Sequence, residues 1–139
     1  MAFRLAGTGM KVAVVERHLV GGTCVNTGCT PTKALVASAY AARTARRAAQ
    51  YGVVIGGDIG IDMRRVKARK DAIVAASRNG LTSALENAAN ITLYRGHARF
   101  ASPQAVELAP DHHNTERLHA ERILINVGGR ALEIGRAHV

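Results

Sequence analysis

The chain has 139 residues, 47% hydrophobic and 4% aromatic, which allows one domain with a modest core and includes no apolar run long enough to span a membrane. Nineteen Lys and Arg against ten Asp and Glu give a net charge of +9. Those basic residues are spread over predicted helices without aromatic interleaving or a recognition motif, so nucleic acid is not an expected partner.

In chain order, Ala6-Gly7-Thr8-Gly9 has the look of a phosphate cradle, but two glycines at a helix end are read more simply as a C-cap. Lys11 to Glu16 (Lys-Val-Ala-Val-Val-Glu) is a short apolar run ending in an acid. That is the pattern of the second parallel strand of a dinucleotide fold, whose terminal carboxylate takes hydrogen bonds from ribose hydroxyls. Glu16 is the candidate, against the plainer reading of a solvated strand-end charge.

Cys24 and Cys29, the only cysteines, follow in Gly21-Gly22-Thr23-Cys24-Val25-Asn26-Thr27-Gly28-Cys29-Thr30-Pro31-Thr32-Lys33. Residues five apart on a regular α-helix are separated by about 7.5 Å along its axis, too far for a relaxed disulfide, so the backbone is expected to bend between them. Gly22 and Gly28 supply permissive φ/ψ, and Pro31 suits the first turn of a helix that becomes regular afterwards. A thiol at that helix start faces unpaired N–H groups, the positive dipole end and the Lys33 ammonium, all of which favour thiolate. The pair therefore reads as a redox dithiol rather than as two small packing residues. A structural metal site wants more ligands than two cysteines and His18 provide, so no metal is expected.

From Thr32 to about Gln50, Leu35, Val36, Ala39, Ala42, Ala45 and Ala49 recur at helical spacing before a stop at Tyr51-Gly52, with Arg43, Arg46 and Arg47 on a solvated face. A Gly-rich segment, 53–60, leads to a second helical pattern from Asp62 to about Asn87. Val66, Ile73, Val74, Leu81 and Leu85 point it toward a core, Arg64, Arg65, Lys67, Arg69 and Lys70 form a basic outer face, and Gly80 is a candidate bend. After Asn90 the period becomes two, predicting strands at 91–94, 98–100, 105–108 and 122–125, with His112-His113 in an exposed loop.

The thirteen-residue cysteine segment resembles the active-site signature of the FAD-dependent pyridine nucleotide-disulfide oxidoreductases, the family of glutathione reductase, dihydrolipoamide dehydrogenase and mercuric reductase. The resemblance implies an α/β fold: a partial Rossmann-like FAD-binding domain over 1–132 with a small antiparallel β element. It implies FAD as cofactor and NAD(P)H as co-substrate, the latter bound by a domain outside this chain. It places Cys24 as the interchange thiol that meets substrate, Cys29 as the thiolate beside the flavin, and Lys33 near the isoalloxazine. Glu16, Gly22, Thr23, Lys33, His97, Ala98 and Gly128 become expected cofactor contacts: His97 and Ala98 through backbone near adenine, Gly128 where a glycine turn approaches the flavin. Val127 stands where many relatives have a hydroxyl residue.

The expected substrate is a small-molecule disulfide, dihydrolipoamide or Hg(II), in a homodimeric, cytoplasmic parent enzyme without membrane or nucleic-acid partners. Two family features are not found in the sequence: the first strand with its Gly-x-Gly-x-x-Gly loop, and the His–Glu acid/base pair. Residues 134–139 (Ile-Gly-Arg-Ala-His-Val) resemble the conceptual translation of a sequencing adapter, so 133–139 are expected to be a non-native tail. The alternatives are an inactive, poorly folding gene fragment that binds no flavin, or a basic nucleic-acid-binding protein.

Overall fold

A computed structural model describes residues 1–109 and 115–129. His112, His113 and the expected 133–139 tail lie outside the described residues. The chain forms two compact units, Met1–His97 and Ala98–Val139.

The first unit is α/β. A short helix α1 (Ala2–Ala6) precedes strand β1 (Val12–Glu16), and Thr8 Oγ1 donates to Leu5 O at the helix end, with Gly9 at φ +86°. Both glycines follow the helix end, as the sequence implied: Gly7 is its right-handed C-cap residue, and Gly9 takes the left-handed turn beyond it. Helices α2 (Gly22–Asn26) and α3 (Cys29–Arg46) follow, then a 3-10 turn over Ala48–Tyr51 closed by Gly52 at φ +75°. Helix α4 (Met63–Glu86) starts at Asp62, whose carboxylate accepts from the Arg64 and Arg65 N–H groups, and it runs unbroken through Gly80. Strand β2 (Ile91–Arg95) pairs parallel with β1 in the register Val12↔Ile91 to Glu16↔Arg95. Val20, Leu85 and Ile91 form the buried cluster, with Val12, Val14, Leu81 and Leu93 packed around it.

Helix α3 packs on α4 through a face other than the one its largest apolar residues predicted. Ala34 is buried, whereas Leu35 and Val36 are 42% and 45% exposed. Ala34, Ser38, Ala42 and Ala45 lie at helical spacing and are all buried or half-buried, a stripe of small side chains that lets two backbones approach closely. Arg69 crosses that approach: its Nη1 donates to Ala34 O at 2.9 Å and to Ser38 Oγ at 3.5 Å. The basic face of α4 is thus partly engaged within the protein, since Lys67 and Lys70 also pair with Asp71.

The second unit is an antiparallel sheet in the order β3-β4-β5: β3 (His97–Ser102), β4 (Ala105–Ala109) and β5 (Glu116–His119). Ala105 and Leu108 are buried there. Strand β5 was not legible in sequence because Glu-Arg-Leu-His carries one apolar residue; its pairing with β4, Ala105↔His119 to Leu108↔Glu116, defines it. The strand expected at 122–125 is not formed. Those residues have no strand partner among the described residues, and Leu124 and Ile125 are 66% and 70% exposed. A strand needs a neighbour to satisfy its N–H and C=O groups, and apolar periodicity alone does not provide one.

Candidate active site

The segment after β1 is shaped by glycine. Gly21 (φ +100°) and Gly22 (φ +56°) both lie in the left-handed region, turning the chain from the strand into α2. A Cβ on Gly21 would meet Val25 Cβ at 2.7 Å, and one on Gly28 would meet Thr23 O at 2.9 Å. The expected break between the cysteines is real: α2 ends at Asn26, Thr27 and Gly28 leave helical geometry, and α3 begins at Cys29. Each cysteine therefore sits on its own helix. Pro31 occupies the first turn of α3, where an absent N–H costs nothing, and the first intrahelical bond is Thr32 N–H to Gly28 O at 3.1 Å.

Both thiols are free and exposed. The Cys24 thiol is held above its ordinary pKa, chiefly by a hydrogen bond with the Cys29 side chain, then by desolvation and by repulsion from Cys29. A hydrogen bond involving the Cys29 backbone and the Lys33 ammonium pull the other way and are outweighed. In a reduced pair the hydrogen bond with the neighbouring sulfur, desolvation and like-charge repulsion together keep the proton on Cys24.

A consequence follows for reactivity. Iodoacetamide alkylation of Cys24 in the reduced chain, followed by peptide mass spectrometry, is expected to rise at higher pH than for an unstructured cysteine peptide. Cys29→Ser should shift the midpoint down. Since the folded pKa exceeds the unfolded one, the interaction stabilises the reduced fold fully below the unfolded thiol's titration and is lost as pH rises through the folded value.

Among the other expected site residues, Glu16 ends β1, and its Oε1 accepts from the His18 N–H at 2.8 Å, so the carboxylate caps the turn after the strand. Gly22 and Thr23 are exposed at the head of α2, and Lys33 is exposed one turn beyond Cys29. The first unit thus gathers Gly22, Thr23, Cys24, Cys29 and Lys33 into one segment, with Glu16 at the preceding strand end. His97 stands exposed after Gly96, where β2 ends. Ala98 and Gly128 belong to the second unit; Ala98 is exposed, and Gly128 has φ +74° with nothing within 4 Å of where a Cβ would lie.

Sequence reasoning passed over Asn26. Its Nδ2 donates to Val20 O at 3.0 Å and to Gly22 O at 2.9 Å, while its Oδ1 is buried without a partner. The available signal was an asparagine in a five-residue helix, where its amide competes for backbone groups.

A parallel strand pair, a left-handed double-glycine turn and a dithiol split across two helices make up the candidate site. Solved structures resemble the chain over most of its length. The chain superposes on the HOCl-induced flavoprotein disulfide reductase RclA of Escherichia coli, solved as a Cu(II) complex, with a TM-score of 0.73 and 31% identity over 91% of this chain and 25% of that one. It is 33% identical over 131 residues to the dihydrolipoyl dehydrogenase of Acholeplasma laidlawii, covering 94% of this chain and 37% of that enzyme. The dihydrolipoyl dehydrogenase of Bacillus subtilis is 38% identical over 120 residues, 86% of this chain and 25% of that enzyme. Residues 1–137 match the model of the pyridine nucleotide-disulphide oxidoreductases, and the chain belongs to that family. It spans between a quarter and somewhat over a third of these relatives' lengths.

Proposed function

We propose that the chain is the dithiol-bearing part of a FAD- and NAD(P)H-dependent disulfide oxidoreductase, with residues 1–132 the FAD-binding portion and 133–139 a non-native tail. The observation that carries this is the split of Cys24 and Cys29 across a break between two helices, which frees the pair from the spacing of one regular helix. The residues suit the cofactor. Glu16 ends a parallel strand as a ribose contact requires, and open space beside left-handed Gly22 leaves room next to the thiols. Glu16, Gly22, Thr23, Lys33, His97, Ala98 and Gly128 are the residues proposed to hold it. When bound, FAD carries two electrons between nicotinamide and the dithiol.

The chain's own residues perform the thiol chemistry. Cys24, as thiolate, attacks the substrate disulfide to give a mixed disulfide, and Cys29 displaces the second substrate thiol, closing Cys24–Cys29. The Lys33 charge pulls the Cys24 thiol toward thiolate, against the larger opposing effect of Cys29. Dihydrolipoamide, oxidised by the same steps in reverse, is the substrate that the relatives' names favour; other small disulfides and soft metal ions such as Hg(II) suit the same exposed thiols. The enzyme is proposed to act as a cytoplasmic homodimer.

The full-length gene product tests this. It should be isolated yellow with stoichiometric flavin and should oxidise dihydrolipoamide or reduce a disulfide with NAD(P)H, whereas the 139-residue chain alone should retain little flavin. A colourless full-length protein without such turnover refutes the assignment.

A further inference from the structure

We propose that Asn26 is a positioning residue that sets how readily Cys24 and Cys29 close into a disulfide; this rests on the redox role proposed above for the pair. Helix α2, which carries Cys24, has five residues, Gly-Thr-Cys-Val-Asn, all of them weak helix formers and the last the asparagine itself. So short a helix does not persist on local propensity and takes its geometry from outside contacts. Asn26 supplies two. Its amide reaches back to Val20 O, the carbonyl of a residue 5% exposed in the core cluster with Leu85 and Ile91, and to Gly22 O in the first turn of α2.

Both ends of the double-glycine turn are thus held by one side chain, and the Cys24 helix is tied to the core by a fixed strut. The residue type is dictated by two carbonyls that both accept from the one amide nitrogen. Asp presents acceptors to acceptors, and Ala leaves both carbonyls without the amide. Inverting the amide is excluded for the same reason, since it would set Oδ1 against Val20 O and Gly22 O. The strut narrows the positions that Cys24 samples relative to Cys29, and effective concentration governs an intramolecular thiol–disulfide equilibrium.

The reaction that reports this is balanced by glutathione disulfide. The Cys24 Sγ–Cys29 Sγ bond forms as the glutathione S–S bond breaks, and two glutathione thiols leave with the two electrons and two protons. The 139-residue chain is equilibrated over a series of glutathione ratios and quenched with an alkylating mass tag. Asn26→Ala and Asn26→Asp are expected to lower the closure constant about tenfold, equal to about 30 mV. Asn90→Ala, which removes an amide bond of the same kind to Ala6 O at 3.1 Å, should leave it unchanged. Wild-type chain in concentrated guanidinium chloride supplies the value without any strut.

A folded Asn26 variant that closes as readily as wild type overturns the proposal and leaves the redox reading intact. Should the variants lose their helical circular dichroism, the wild-type pair decides: closure well above the denatured value supports the strut, and equality refutes it. A wild-type pair that forms no disulfide overturns both readings.

Discussion

Cys29→Ser in the full-length enzyme is expected to abolish disulfide turnover, by roughly 10⁴-fold or more, as for loss of a group that acts as one unit with its partner. The long-wavelength charge-transfer absorbance between thiolate and flavin should vanish on two-electron reduction. Cys24→Ser should stop turnover equally while leaving that absorbance in place, because Cys24 is assigned the exchange with substrate and Cys29 the position beside the flavin. Stopped-flow spectra of the two variants separate the roles. Persistence of the band in Cys29→Ser would refute the assignment of that sulfur. Cys24, held above its ordinary pKa chiefly by its hydrogen bond with Cys29, keeps its own proton more tightly than a free thiol, as befits a group that must be activated when substrate arrives.

Gly21→Ala is expected to be the most damaging single-methyl addition near the site. Two costs coincide there. An L-residue at φ +100° is strained, by about 1–2 kcal/mol, and the new methyl meets Val25 Cβ at 2.7 Å, an overpacking worth typically about 1–3 kcal/mol. Gly22→Ala, also left-handed but with nothing within 4 Å of its Cβ, should carry only the first cost. Chemical denaturation of the three proteins should rank wild type above Gly22→Ala above Gly21→Ala. Adding Val25→Ala to Gly21→Ala should recover part of the loss. Equal midpoints for the two glycine variants would mean that Val25 moves aside freely.

Local signals carried much of the fold. The run ending in Glu16 is β1 within one residue, Asp62 is the cap of α4, Gly52 ends the helical stretch with a left-handed turn, and the glycines around the cysteines mark a true break. Each is a matter of a few neighbouring residues. What stayed hidden depends on partners distant in sequence. In an alanine-rich helix several faces look equally apolar, and only the approach of α4, with Arg69 bonded to Ala34 O across 35 positions, selects the stripe through Ala34. Residues 122–125 show the opposite failure, since their pattern is that of a strand but no described strand lies beside them. Within the site, the cysteines and Lys33 were legible from type and spacing, whereas Asn26 was not, because its importance lies in two backbone oxygens that sequence does not display.

The two sulfurs also stand on unequal mounts. Cys29 opens an eighteen-residue rod, about 27 Å long, pinned to its neighbour by a guanidinium; Cys24 rides on a stub of five residues whose last side chain, the Asn26 amide, bonds back to Val20 O. The sulfur assigned to the flavin is thus carried by the long element, and the one assigned to the substrate by the short one.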